Sequence, residues 1–187
     1  MSDQIVFNSI GSGKPLLLIH PLGLDHHIWD FCLEDFSEIR TVITYDLPGH
    51  GTNSVPNESY GIEDLSSNLY QALQESQIEK IDCLGLSIGG MILQVLASSH
   101  SHLVEKLILV DTTYKYSKEW QDNWATRATA AREHGLENMI EQFLAAFFTS
   151  ASSFFISATL AFASFNAASA FSSKSVESQS AFHNLLK

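Results

Sequence analysis

The feature that most constrains this chain is a regular alternation of strand-like and helix-like segments over its first 111 residues. Apolar or alternating runs bounded by turn residues predict strands at 5–9, 16–20, 41–45, 81–86 and 107–110. The runs at 16–20 and 107–110 are so apolar that we expect both strands to be buried. Apolar residues at helical spacing predict helices near 29–36, over 62–75 and directly after Ser87. The alternation predicts an α/β fold: a doubly wound, mostly parallel sheet with its functional site at the carboxyl ends of the strands.

Composition divides the chain into three segments. Residues 1–113 carry the alternation and are expected to form the core domain. Residues 114–148 are richer in charge and helical in pattern, with Gly135 dividing two helices. Residues 149–187 form a tail rich in Ser, Ala and Phe, with no strand pattern and no clear periodicity. We therefore expect the sheet to lack its last strands.

Net charge and the amino terminus limit the partners and the compartment. The formal charge of −11 argues against a nucleic acid or an anionic membrane surface as the partner. Residues 142–173 are uncharged, but their many serines argue against a membrane span. The first ten residues show no basic segment followed by a long apolar run, so we expect a cytoplasmic protein.

The cysteines and paired histidines predict neither a disulfide framework nor a metal site. Cys32 and Cys83 both lie in apolar surroundings, and we expect them to be reduced core residues. His100 and His102 are close in sequence, but two imidazoles without further ligands do not define a metal site. No metal is therefore expected.

Ser87 lies between small residues at the point where a predicted strand gives way to a helix. The segment G-L-S-I-G at 85–89 fits the pattern G-x-S-x-G in the strand–turn–helix context that a nucleophile elbow requires. A phosphate-binding turn is the alternative, but neither "GSGK" nor "GLSIGG" fits the pattern of a P-loop. The pattern therefore favours Ser87 as a nucleophile.

An activated serine of this kind needs donors for the oxyanion that forms during attack. The Ile88 N–H at the start of the following helix is one expected donor. The second is expected in the loop after the strand at 16–20, where Pro21 has no N–H and Leu22 does. The alternative is that this loop is shaped only by its proline and glycine.

Four segments in a fixed order, "HPLGLDHHIWD", "YDLPGHG", "GLSIGGMILQVLA" and "KLILVDTT", resemble the α/β-hydrolase superfamily. The chain is most similar to the 3-oxoadipate enol-lactonase branch, in which Trp124, Arg127 and Gly135 fit the start of a helical cap. The resemblance covers roughly residues 5–148 and implies a serine hydrolase acting on a lactone or ester without metal or organic cofactor. It implies Ser87 as nucleophile, with Leu22 and Ile88 as the oxyanion hole.

The general base and its orienting acid are not evident from the pattern. The family order is Ser, then an acid, then His on loops after later strands, and the chain departs from it after residue 148. Asp111 ends a strand and is one candidate acid, although such a residue commonly caps its own loop. His183 is the one histidine in the expected chain position and is the candidate base. His26, His27 and His50 are more simply explained as solvated or turn residues.

Arg127 and Trp124 are candidate substrate-binding residues, because a guanidinium matches a carboxylate bidentately. The alternative is that Arg127 is a solvated charge on a helix.

Three hypotheses about the function stay open at this point. The chain is an active hydrolase completed by His183 or a partner chain, a truncated or frame-shifted relative, or a binding module that uses the same pocket without turnover. An incomplete sheet would expose a strand edge and favour self-association.

Overall fold

The computed structural model describes residues 5–55 and 59–135. The chain forms two compact units, the first ending at Tyr114 and the second beginning at Lys115. The strands are β1 (Asn8–Gly11), β2 (Lys14–Ile19), β3 (Arg40–Thr44), β4 (Ile81–Leu86) and β5 (Val104–Val110). The helices are α1 (Asp30–Ser37), α2 (Ile62–Glu75), α3 (Ile88–Ser99) and α4 (Lys118–His134), with a short 3₁₀ helix at His26–Trp29.

The five strands of the first unit form one sheet in the order β1-β3-β2-β4-β5. β1 is antiparallel to β3, whereas the pairs β3–β2, β2–β4 and β4–β5 are parallel. The apolar run of β2, Leu16–Ile19, is wholly inaccessible to solvent, as expected for a central strand covered on both faces. This confirms the predicted α/β class and the mostly parallel sheet.

In helix α2, the apolar residues that repeat at helical spacing in the sequence form one buried face. Leu65, Leu69 and Leu73 repeat every four residues on one face, and each is at most 6% exposed. Burying each of these side chains contributes about 1.5–3 kcal/mol relative to leaving it in water. The first turn is closed by the Gly61 N–H, which donates to Asp64 Oδ2 at 2.8 Å. The helix spans the predicted residues.

The first strand begins later than predicted. The sequence pattern placed it at 5–9, but the ladder with β3 pairs Asn8–Gly11. Ile5 and Phe7 still pack against the core, and the Phe7 ring meets Tyr45 edge-to-face at 5.9 Å between centroids. The alternation at 5–9 therefore reflects packing of the preceding segment as much as strand pairing.

The prediction that β5 is buried was wrong. Leu109 is 42% exposed, and Glu105 and Lys106 are exposed beside it. β5 pairs only with β4 among the described strands, so one of its edges carries no described neighbour. An apolar run indicates a strand, but its burial depends on neighbours that the run itself does not specify.

Helix α4 belongs to the second unit. Ser117 Oγ accepts the Trp120 N–H at its start, and Gly135 follows its last turn. The predicted helical segment therefore begins as a helix, whereas the remainder of 114–148 and the tail at 149–187 lie outside the described residues. Across 5–55 and 59–135, no helix combines the length and the apolar character needed to cross a membrane.

Candidate active site

Ser87 occupies the turn between β4 and α3 in a backbone conformation that side chains rarely adopt. Its φ and ψ are 54° and −117°, a region that costs roughly 1–3 kcal/mol for a residue other than glycine. The Ser87 N–H donates to the Val110 carbonyl at 2.9 Å, and its own carbonyl accepts Thr112 Oγ1 at 2.6 Å. The last residue of β5 and the loop that follows it therefore hold the strained turn through the N–H and the carbonyl of Ser87.

The glycines around Ser87 are required by close backbone approach. A Cβ at Gly85 would lie 2.5 Å from the carbonyl carbon of Gly89, and one at Gly89 would overlap the Ile19 carbonyl. Because neither obstacle is a flexible side chain, neither position accepts a larger residue without moving the strand or the helix. This is the physical reason for the pattern G-x-S-x-G here.

The N-terminus of α3 lies directly after Ser87. The first N–H groups of a helix have no acceptor within the helix, and the macrodipole makes this end positive. Ile88 is the first residue of α3, and the first helical bond runs from the Met91 N–H to the Ser87 carbonyl at 3.2 Å. The Ile88 N–H therefore belongs to the first turn of α3, directly after Ser87.

The loop after β2 begins at the same edge of the sheet. Ile19 is paired with Gly85, so the residues that follow each of them emerge side by side. In this loop the Pro21 carbonyl lies 2.8 Å from His20 Nδ1, and the Gly23 N–H donates to His50 Nε2 at 3.1 Å. Leu22 lies between these two contacts and is 41% exposed.

The rings of His20 and His50 both contact backbone groups through their two nitrogens. His20 is wholly buried, and its Nε2 accepts the Leu47 N–H at 2.9 Å. Burial lowers the pKa of His20, because the charged ring would lose its hydration. His50 Nδ1 lies 3.0 Å from the Pro48 carbonyl. Both nitrogens of each ring are therefore occupied, and neither ring is free to take a proton from Ser87.

His26 and Asp46 form a pair that the sequence analysis missed. The carboxylate oxygen Oδ1 of Asp46 lies 2.7 Å from the His26 backbone nitrogen and 2.8 Å from its ring Nδ1. Burial raises the pKa of Asp46, but the hydrogen bonds from His26 outweigh this and hold it below its usual value. Asp46 follows β3 and His26 follows the loop after β2, so only the fold brings them together.

Asp111, the candidate acid, lies directly after β5. It has a φ of 44° and is exposed, between the two residues that hold Ser87. No hydrogen bond joins its carboxylate to a histidine within 5–55 and 59–135.

The other predicted residues lie in the second unit or outside the described residues. On α4, in the second unit, the Arg127 guanidinium lies 5.1 Å from the Trp124 ring centroid. His183 lies outside the described residues, and the described part holds no group of three or more metal-ligating side chains.

Comparison with known proteins places this geometry in a family. Residues 14–184 match the family model described as alpha/beta hydrolase fold. A pimeloyl-[acyl-carrier protein] methyl ester esterase from Vibrio campbellii is 32% identical over 78% of this chain and 57% of the esterase. The 3-oxoadipate enol-lactonase 2 from Acinetobacter baylyi is 29% identical over 72% of this chain and 49% of the lactonase. The chain thus spans about half the length of these relatives.

Solved structures agree with the sequence relatives. A thermophilic esterase from Thermogutta terrifontis superimposes with a TM-score of 0.69 at 28% identity, over 74% of this chain and 52% of the esterase. The enol-lactonase from Burkholderia xenovorans superimposes with a TM-score of 0.75 over 85% of this chain and 61% of the lactonase; at 24% identity it shows the fold alone. With its mostly parallel sheet, its strand–serine–helix turn and the family match over most of its length, this chain belongs to the alpha/beta-hydrolase family, close to its enol-lactonase-like members.

Proposed function

We propose that the chain hydrolyses a carboxylic ester or an enol-lactone through an acyl-Ser87 intermediate. The observation that carries this proposal is the conformation of Ser87, with φ of 54° and ψ of −117° at the N-terminus of α3. A turn strained in this way persists only because the surrounding backbone holds it, and such strain is concentrated at functional sites. The glycines at 85 and 89 let the strand and helix backbones pack closely around the turn, and Ser87 itself is partly exposed.

In the proposed reaction, Ser87 Oγ attacks the ester or lactone carbonyl and its proton passes to a general base. The carbonyl oxygen becomes an oxyanion, which the N–H groups of Ile88 and Leu22 stabilise. One such donor is worth about 10²–10³ in kcat. Collapse of the tetrahedral intermediate breaks the bond between the carbonyl carbon and the alcohol or ring oxygen, which takes the proton back from the base, and leaves acyl-Ser87. Water activated by the same base then releases the acid.

For the base we propose His183, oriented by Asp111, following the family order of acid before histidine. Occupied ring nitrogens remove His20 and His50 as alternatives. His26 is the alternative among the described residues, because its Nδ1 is held by Asp46 as a general base is held by its orienting acid.

For the substrate we propose a small ester or enol-lactone, in keeping with relatives named as a methyl ester esterase and an enol-lactonase. A substrate carboxylate would be matched by Arg127, whose planar guanidinium binds carboxylates bidentately. Trp124 beside it would supply an apolar face. The scheme needs no cofactor, since serine, imidazole and backbone N–H groups supply all the chemistry.

The test is labelling with a fluorophosphonate probe, which reacts with an activated serine and adds a fixed mass. We expect one adduct on the wild-type chain and none on Ser87→Ala. Ser101→Ala is the matched control, because Ser101 is exposed and lies in the turn before β5. Absence of an adduct on a folded wild-type chain would overturn the proposal. If a chromogenic ester still bound without turnover, equally to wild type and Ser87→Ala, the chain would be a binding module.

Two further variants identify the base. His183→Ala should abolish labelling, whereas His26→Gln, which removes the ring held by Asp46, should retain it. The reverse result would transfer the role of base to His26 without changing the role of Ser87.

A further inference from the structure

We propose that His50 is a positioning residue for the oxyanion hole. His50 and His20 together fix the two peptide planes on either side of Leu22, so the direction of the Leu22 N–H is set before a substrate binds. The inference rests on the proposed function, because it assigns these histidines to one of that reaction's donors. Neither ring touches the reacting atoms in this scheme.

His20 fixes the first plane. The Pro21 carbonyl and the Leu22 N–H belong to one planar trans peptide, in which the two groups point in opposite directions. His20 Nδ1 holds the Pro21 oxygen at 2.8 Å and thereby sets the direction of the N–H. The His20 ring is itself fixed, since it is wholly buried and its Nε2 accepts the Leu47 N–H.

His50 fixes the second plane, that of the peptide between Leu22 and Gly23. The Gly23 N–H donates to His50 Nε2 at 3.1 Å, which requires this nitrogen to carry no proton. His50 Nδ1 lies 3.0 Å from the Pro48 carbonyl and therefore carries the ring's proton. A neutral imidazole of a single tautomer satisfies both contacts.

His50 is held firmly enough to act as an anchor. Its backbone N–H donates to the Leu47 carbonyl at 3.0 Å, and its carbonyl accepts the Asn53 N–H at 2.9 Å. The His50 ring also packs against the His20 ring, with centroids 5.2 Å apart. Leu47 therefore connects the two anchors, because its N–H is bound by one histidine ring and its carbonyl by the backbone of the other.

The contacts made by His20 and His50 are needed to orient the loop after β2, because the loop itself is exposed to solvent. Leu22 is 41% exposed and Gly23 is exposed, so few packing contacts hold their peptide planes. A donor that must be reoriented during the reaction stabilises the oxyanion less than one that is already in place. Loss of the His50 acceptor should therefore reduce kcat while leaving substrate binding largely intact.

The experiment compares His50→Ala with His50→Gln on a p-nitrophenyl ester. We expect His50→Ala to lower kcat by about 10- to 100-fold, with KM changed little, because one donor is misplaced and not deleted. His50→Gln should recover most of the loss, since its amide oxygen can accept the Gly23 N–H. His102→Ala is the control, as His102 is exposed and lies in the turn after α3. Wild-type kcat in His50→Ala, or an equal loss in a folded His50→Gln, would overturn the inference.

A second measurement separates this inference from the proposed function. Hydrogen exchange of the Gly23 amide, followed by NMR, should be faster in His50→Ala than in wild type and slow again in His50→Gln. Unchanged exchange would overturn the positioning role whatever the activity. Faster exchange in His50→Ala, combined with a wild-type chain that shows no Ser87-dependent turnover, would overturn only the proposed function.

Discussion

Arg40 and Asp82 form an ion pair that is almost wholly removed from water. Arg40 Nη1 lies 2.8 Å from Asp82 Oδ2, and the two side chains are 7% and 0% exposed. Lys14 Nζ lies 3.0 Å from the other Asp82 oxygen and 2.6 Å from Glu105. All four residues lie within the first two positions of their strands, which are β3, β4, β2 and β5, so the network connects four strands at the end of the sheet opposite Ser87.

Asp82→Asn should destabilise the fold strongly. Removing one partner of a buried pair leaves the other charge uncompensated, at a cost of about 3–5 kcal/mol in the free energy of unfolding. Lys80→Ala is the comparison, because Lys80 Nζ meets Glu105 at 3.5 Å with its side chain 67% exposed, and such a pair contributes less than about 1 kcal/mol. Urea unfolding measures both. Equal losses would show that burial of Asp82 does not matter.

Stability should fall in acid through the same carboxylate. Burial raises the pKa of Asp82, but hydrogen bonds from Arg40 and Lys14 outweigh it and hold the pKa below its ordinary value of 3.8. A group whose pKa is lower in the folded state stabilises the fold above its unfolded pKa, and this stabilisation is lost as the pH falls through the folded pKa. The free energy of unfolding should therefore decline below about pH 4. Asp82→Asn, less stable at pH 7, should show a shallower decline; an identical slope would contradict the assignment.

The strand–serine–helix turn at Ser87 could be predicted from the sequence because its determinants are local. The strand, Ser87 and the glycines at 85 and 89 lie within a few residues, and the structure gives a backbone reason for both glycines. The spacing of apolar residues over 62–75 predicted helix α2 for the same reason. In both cases neighbours in sequence are also neighbours in space.

The pairs that support the loop after β2 could not be predicted in this way. Asp46 reaches His26 across 20 residues, and His50 reaches Gly23 across 27. Both contacts depend on β2 and β3 lying side by side in parallel, which places their carboxyl-end loops together. No spacing rule in the sequence encodes such a contact, and the exposure of β5 likewise depends on which strands surround it.

The two thiols should be inert in the folded chain. Burial raises the pKa of Cys83 and of Cys32 to about 12. Both are free cysteines; Cys83 is a core residue as expected, whereas Cys32 is half-buried. The thiolate is the reactive form, and at pH 8 its fraction should be roughly a thousandfold lower than for an ordinary cysteine. Reaction with an aromatic disulfide should be slow in buffer and complete in urea. Fast native reaction of either thiol would indicate local opening.

Because β5 pairs only with β4 among the described strands, we predict that its other edge promotes self-association with a second copy of the chain. Leu109 is 42% exposed in this strand, and unpaired strand edges are templates for pairing. Leu109→Lys should lower the weight-average mass in sedimentation at high protein concentration, because lysine on an edge opposes pairing. Ile39→Lys is the control, as Ile39 is similarly exposed at 38% but precedes β3. Equal effects would indicate non-specific apolar association.

The backbone strain at Ser87 should lower the free energy of unfolding by an amount that substitutions at this position can measure. Ser87→Ala and Ser87→Gly both remove the hydroxyl, but only glycine adopts a φ of 54° without a Cβ penalty. We therefore expect Ser87→Gly to be more stable than Ser87→Ala by about 1 kcal/mol. At Ser98, exposed within α3, the same two substitutions should show the opposite order, since alanine is favoured over glycine in a helix by about 1 kcal/mol. If the order at the two positions were the same, Ser87 would not be strained, and the observation that carries the proposed function would be lost.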